Sequence, residues 1–129
     1  MKSKLLLVCI PALVLALSCK HDPDKVTAAP EVNIDLPVPM TAYNNADTVI
    51  MQGILTDEVE LHEAFVMLRT NTDTLFSFAP FVHELESYSL DTTWVVNGIA
   101  APVNSFFTVR AINHADKVTE ISIPVSFAP

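Results

Sequence analysis

The chain has 129 residues, half of them hydrophobic, and carries fifteen acidic residues against seven basic ones, for a net charge of −8 with histidine neutral. A surface of that sign repels phosphate backbones and anionic headgroups, so nucleic acid is excluded as a partner. With two glycines in all there is no phosphate-cradling loop, and neither a Gly-x-Ser-x-Gly elbow nor a His-Glu-x-x-His pair occurs, so no catalytic activity is expected.

Lys2 and Lys4 form a basic start, followed by a thirteen-residue apolar run, Leu5 to Leu17, broken only by Pro11. The run fits a secretory h-region and is shorter than the roughly 17 to 25 residues needed to span a bilayer. Ser18 and Cys19 close it. A small residue directly before a cysteine at this place resembles the lipobox of bacterial lipoproteins, with Ala16 and Leu17 standing where that family prefers Leu and then a small residue. The resemblance implies that residues 1–18 are removed and that Cys19 is acylated and becomes the N-terminus; the other reading is an ordinary cysteine after a secretion signal. Cys9 would be lost with the leader, leaving one cysteine and no internal disulfide. The same cut removes Lys2 and Lys4, so five basic residues face fifteen acidic ones and the net charge becomes −10.

"KHDPDKVTAAP" (20–30) has two prolines and no apolar periodicity, and reads as an extended tether in which His21, Asp22 and Asp24 are solvated. Its first five residues resemble the acidic leader of surface-exported lipoproteins of the Bacteroidetes type. That resemblance implies an envelope location at the outer membrane, facing either the periplasm or the cell surface, with lipid as the membrane contact.

Residues 31–129 are the size of one domain. Predicted strands follow in order at 31–35, 48–55, 63–70, 73–80, 87–94, 106–113 and 119–127. The clearest is the last, where Thr119, Ile121, Ile123, Val125 and Phe127 share one parity and polar residues with Pro124 share the other. Tyr88, Leu90 and Trp94 alternate likewise, as do Phe107, Val109 and Ala111. Seven short strands in about 100 residues predict an all-β fold, a seven-stranded antiparallel immunoglobulin-like β-sandwich, preceded by a signal peptide and a short tether. "DTVIMQGILTDEVELHEAFVML" and "FFTVRAINHADKVTEISIPV" resemble the second-to-third and sixth-to-seventh strand segments of immunoglobulin-like domains in a Bacteroidetes-type lipoprotein family. Asp57, Ala111 and Asn113 match that family's turn positions. The domains are thus 1–18 signal peptide, 19–30 lipidated cysteine and tether, and 31–129 sandwich.

His62 falls between the second and third predicted strands, His83 between the fourth and fifth, and His114 between the sixth and seventh. Antiparallel strands reverse direction at each step, so all three connections emerge at one pole of the sandwich. Carboxylates gather there too, Asp57 and Asp116 among them. Neutral imidazoles backed by carboxylates suit zinc or copper, and carboxylates alone suit calcium. The opposing reading is an acidic, solvated loop cluster, because none of these spacings is a metal signature. Elsewhere Phe76 and Phe78 share parity and offer a binding surface if their strand lies at an edge. Two functions therefore stand side by side: a non-catalytic module for an envelope protein or glycan partner, and a metal-binding module using His62, His83, His114, Asp57 and Asp116.

Overall fold

The computed structural model describes residues 28–129; the expected signal peptide, Cys19 and most of the tether lie outside the described residues. Seven strands follow in chain order: β1 (Glu31–Leu36), β2 (Thr41–Asn44), β3 (Thr48–Arg69), β4 (Thr74–Phe78), β5 (Leu85–Val95), β6 (Val103–Asn113) and β7 (Val118–Ala128). The hydrogen-bonded path runs β1-β3-β6-β7-β2, with β4 and β5 also on β3.

The organising element is β3. Its residues 48–56 pair antiparallel with β1 and β5, whereas 61–69 pair antiparallel with β6 and β4. One strand thus belongs to both layers and changes layer at residues 57–60, as strands do through bulges and bends at the corners of sandwiches. Two predicted strands, 48–55 and 63–70, are therefore halves of one. The polar run "DEVE" reads as a loop but continues the extended backbone, with the Asp57 carboxylate taking the N–H groups of Val59 and Glu60 at 2.9 and 3.1 Å.

The expectation of a purely antiparallel sheet is corrected by β2, which pairs parallel with the end of β7, Thr41 opposite Val125 through Asn44 opposite Ala128. The sheet is mixed. Pro124 lies just before this pairing begins, so its missing N–H costs no ladder bond on that side, and its carbonyl accepts the Met40 N–H at 2.7 Å.

Between the layers lies one core. Val49, Met51, Leu55 and Leu90 on one side meet Val66, Leu68, Phe107, Val109 and Phe127 on the other. Trp94 of β5 bridges the layers, 6.2 Å from the Phe76 ring and 5.7 Å, edge-on, from Phe127. Odd positions of β3 face inward as far as Leu55 and again at Leu61, with Val59 exposed in the corner between, and even positions do so from Ala64 onward. The parity flips because Leu61 lies opposite Asn113 and Glu63 opposite Ile112, which leaves His62 as the extra residue of a β-bulge. Thr108, on the opposite parity to Phe107 and Val109, is buried as well, and its hydroxyl meets that of Ser122 at 3.0 Å. This division, with β1 and β5 on one half of β3 and β4, β6 and β7 on the other, is an immunoglobulin-like arrangement.

Candidate metal centre

Three segments meet where β3 changes layer. His62 is the bulged residue of β3, His83 sits in the turn that leads into β5, and His114 opens the turn between β6 and β7. The backbone ties all three to the same two peptide units. The carbonyl of Glu60 accepts the His114 N–H at 3.3 Å, and that of Leu61 accepts the Glu84 N–H at 3.1 Å. Both turns are closed by local bonds, Leu85 N–H to Val82 carbonyl and Asp116 N–H to Asn113 carbonyl, each 3.0 Å. Glu84 and Asp116 take φ of 66° and 56°, the left-handed region in which non-glycine residues are uncommon.

The consequence is a cluster of imidazoles. Ring centroids lie 4.7 Å apart for His62 and His114, 4.9 Å for His83 and His114, and 5.2 Å for His62 and His83. One nitrogen from each ring can be chosen so that all three lie within 4.8 Å of one another. A tetrahedral zinc with bonds of about 2.0–2.1 Å holds its nitrogens about 3.4 Å apart, a contraction that side-chain torsions supply. His62 and His83 are half-buried and His114 is exposed, so the cluster has a protected and an open side.

The chemistry of the donors fits a borderline cation. Nδ1 of His62 is buried and has no hydrogen-bond partner, a costly condition for a polar atom that a metal bond would relieve. Carboxylates stand behind two of the rings, Glu63 Oε1 at 3.9 Å from His62 Nε2 and Glu84 Oε1 at 3.7 Å from His83 Nδ1. Neighbours on a regular strand point to opposite faces; here the bulge and the turn bring each glutamate beside its histidine.

The two aspartates expected in this set stand apart from it. Asp57 spends one oxygen on the Val59 and Glu60 amides and the other on Asn113 Nδ2 at 2.9 Å, and Asp116 is an exposed turn residue outside the group of three. Asn113, named from the sequence only as a turn position, has a larger part that the sequence reading missed. It is fully buried, donates to Asp57 and to the Ala28 carbonyl, and accepts from the amides of Ala115 and Lys117, each at 2.9–3.0 Å. The available signal was a polar residue on the inward parity of Phe107, Val109 and Ala111.

Of the expected aromatic surface, Phe76 packs partly buried against the core and Phe78 remains partly exposed on β4. A groove of about 360 Å³ runs from Phe65 and His62 to Pro80, Phe81 and His83, and Phe81 is 84% exposed on its rim. A larger hollow of about 540 Å³, lined by Arg69, Asn71, Asp73 and Phe106, lies seven residues along β3 from His62, on the order of 23 Å away.

Neither the family models nor the curated proteins compared include a match to this chain. Among solved structures it is similar to the fibronectin(III)-like modules of Clostridium thermocellum CbhA, at 11% identity over 75% of this chain and 94% of that one, with a TM-score of 0.48. It is also similar to an engineered protein, at 13% identity over 80% of this chain, with a TM-score of 0.52. This chain spans 21% of the engineered protein's length, and the likeness is one of fold.

Proposed function

We propose that the protein is a lipid-anchored module of the cell envelope whose working part is a three-histidine site for a divalent transition-metal ion, zinc or copper, and that it acts without catalysis. The anchor rests on the leader and Cys19. The metal reading rests on one observation, the convergence of His62, His83 and His114 to within 4.8 Å around a buried, unpartnered imidazole nitrogen. Imidazole donors suit zinc and copper, whereas calcium asks for six to eight oxygens, and the Asp57 oxygens are already engaged. The acidic surface raises the local concentration of cations near the site.

A second reading, docking of an envelope protein or glycan, draws support from Phe81, the most exposed aromatic at this pole, with Phe78 nearby in the chain.

Thermal unfolding with and without metal tests the first reading. An ion bound only by the folded state stabilises by about 2.7 kcal/mol at a hundred times its dissociation constant. For a domain of this size that is a rise in Tm of on the order of 10–20 °C. Zinc or copper should give the rise, and His62→Ala and His114→Ala should each abolish it. Equal curves with and without metal, together with no metal retained after dialysis, would remove the metal site and leave docking through Phe81 as the surviving reading.

A further inference from the structure

Resting on the metal reading, we infer that the bound ion keeps its fourth coordination position for an exogenous monodentate donor, entering from the side of His114 and Phe81. Among the described residues no carboxylate joins the three histidines in the group that can share an ion. Asp57 is held on both oxygens by backbone amides and Asn113. Asp116 lies outside the group that can share an ion. Glu63 lies nearest Nε2 of His62, opposite that ring's buried Nδ1, and Glu84 lies nearest Nδ1 of His83, and neither belongs to the group that can share an ion. At 3.9 and 3.7 Å they stand within a side-chain torsion of accepting the ring N–H; with the ion bound, each would take that proton and leave the other ring nitrogen for the metal, the arrangement that fixes the tautomer of metal-ligating histidines. For His62 the inward atom is then Nδ1, the same atom that the fold leaves buried and unpaired.

Three imidazoles with no fourth donor among the described residues form an open site, in contrast to the four-ligand closure of structural zinc. Access to the open position is one-sided. His62 and His83 are half-buried beneath the groove, His114 is exposed, and the Phe81 ring lies 6.5 Å from the His83 ring on the solvent side. A donor entering there meets an apolar wall on one flank and imidazole on the other, so small anions and neutral nitrogen donors are the chemical class admitted.

The test loads the purified full chain with cobalt(II), whose visible bands report coordination, and titrates azide as the probe. The expected result is a saturable change in the cobalt bands with the metal still bound, and a loss of cobalt affinity of roughly tenfold in each of Glu63→Gln and Glu84→Gln, as outer-sphere partners of metal ligands show. Cobalt bound with bands that azide does not move would overturn the open position while leaving the metal site standing. So would a response that appears only when Glu84→Gln or Glu63→Gln is introduced, since that carboxylate would then be the fourth ligand. The segment before Ala28 holds an imidazole as well: His21 precedes Ala28 by seven residues, at most about 25 Å of chain, and Ala28 is bonded to Asn113 at this pole. An azide response gained only with His21→Ala would likewise overturn the exogenous assignment. Failure to take up cobalt at all would remove the three-histidine site itself, and this inference with it.

Discussion

Asn113→Ala removes the bond set on which the histidine pole is assembled, and its cost can be worked from the contacts. The side chain is fully buried and makes four hydrogen bonds. The bond to the Asp57 carboxylate is charge-assisted and counts for about 1.5–3 kcal/mol, while a neutral bond nets about 0.5–1.5 kcal/mol. The amides of Ala115 and Lys117 lie in a surface turn and can turn to water, so most of their share is recovered. The half-buried Asp57 carboxylate loses its charge-assisted partner, the Ala28 carbonyl loses one on an exposed residue, and the emptied buried site adds a cavity cost. The expected loss is about 3–4 kcal/mol, out of the 5–15 typical of a whole domain. Urea unfolding followed by Trp94, the only tryptophan, measures it against the parent chain. Asn113→Asp is the companion variant. It keeps an oxygen for the two turn amides but sets a second carboxylate 2.9 Å from the Asp57 oxygen. Like charges at that separation destabilise at neutral pH, and the loss should shrink as acid protonates one of the pair. A loss below 1 kcal/mol for Asn113→Ala, or an Asn113→Asp chain as stable as its parent at pH 7, would refute the role given to this residue.

Two further outcomes are expected. Gly53→Ala places a methyl group against the Asn33 carbonyl oxygen and 2.9 and 3.1 Å from the Ile34 Cδ1 and Cα atoms, so β1 must shift off β3; a cost of about 1–3 kcal/mol and a fall in Tm of several degrees should appear in a thermal melt. Burial raises the Tyr43 hydroxyl pKa above its ordinary value, with Asp47 adding to the rise and a hydrogen bond with Thr41 opposing it. Because the folded value exceeds the unfolded one, this contribution is whole below about pH 10 and is lost as pH climbs through the folded value. Stability measured between about pH 9 and 11 should therefore fall less steeply for Tyr43→Phe than for the parent chain.

Alternation carried most of the fold into view. β5, β6 and β7 each bury one parity, and the inward residues of Tyr88 to Trp94 and of Thr119 to Phe127 follow the pattern expected of half-buried strands. Two features escaped it for definite reasons. β2 is four residues long, too short for a period to show, and its parallel register to β7 is a tertiary choice. The unity of β3 was hidden by "DEVE", whose charges signal a loop although the Asp57 side chain satisfies the amides that an extended corner would otherwise expose.

The site divides along the same line. His62, His83 and His114 do meet, as the sequence led one to expect, but not by a reversal at each step: β3 runs through His62 without turning back, and β4 and β5 both run antiparallel to β3 and so share a direction. Their approach to within 4.8 Å depends on two things no residue pattern announces. One is the single-residue bulge at His62, which turns its ring off the strand's ordinary alternation. The other is the pair of adjacent carbonyls, Glu60 and Leu61, that dock the two turns bearing His114 and His83. Composition also does not tell which carboxylates remain free: Asp57 and Glu63 look alike as acids, yet the first is consumed by backbone amides and the second stands 3.9 Å from an imidazole nitrogen. If this division is right, removing the bulge by deleting His62 and restoring histidine at a neighbouring position should preserve the sheet and lose the metal, because the geometry of the site resides in the extra residue and not in the count of histidines.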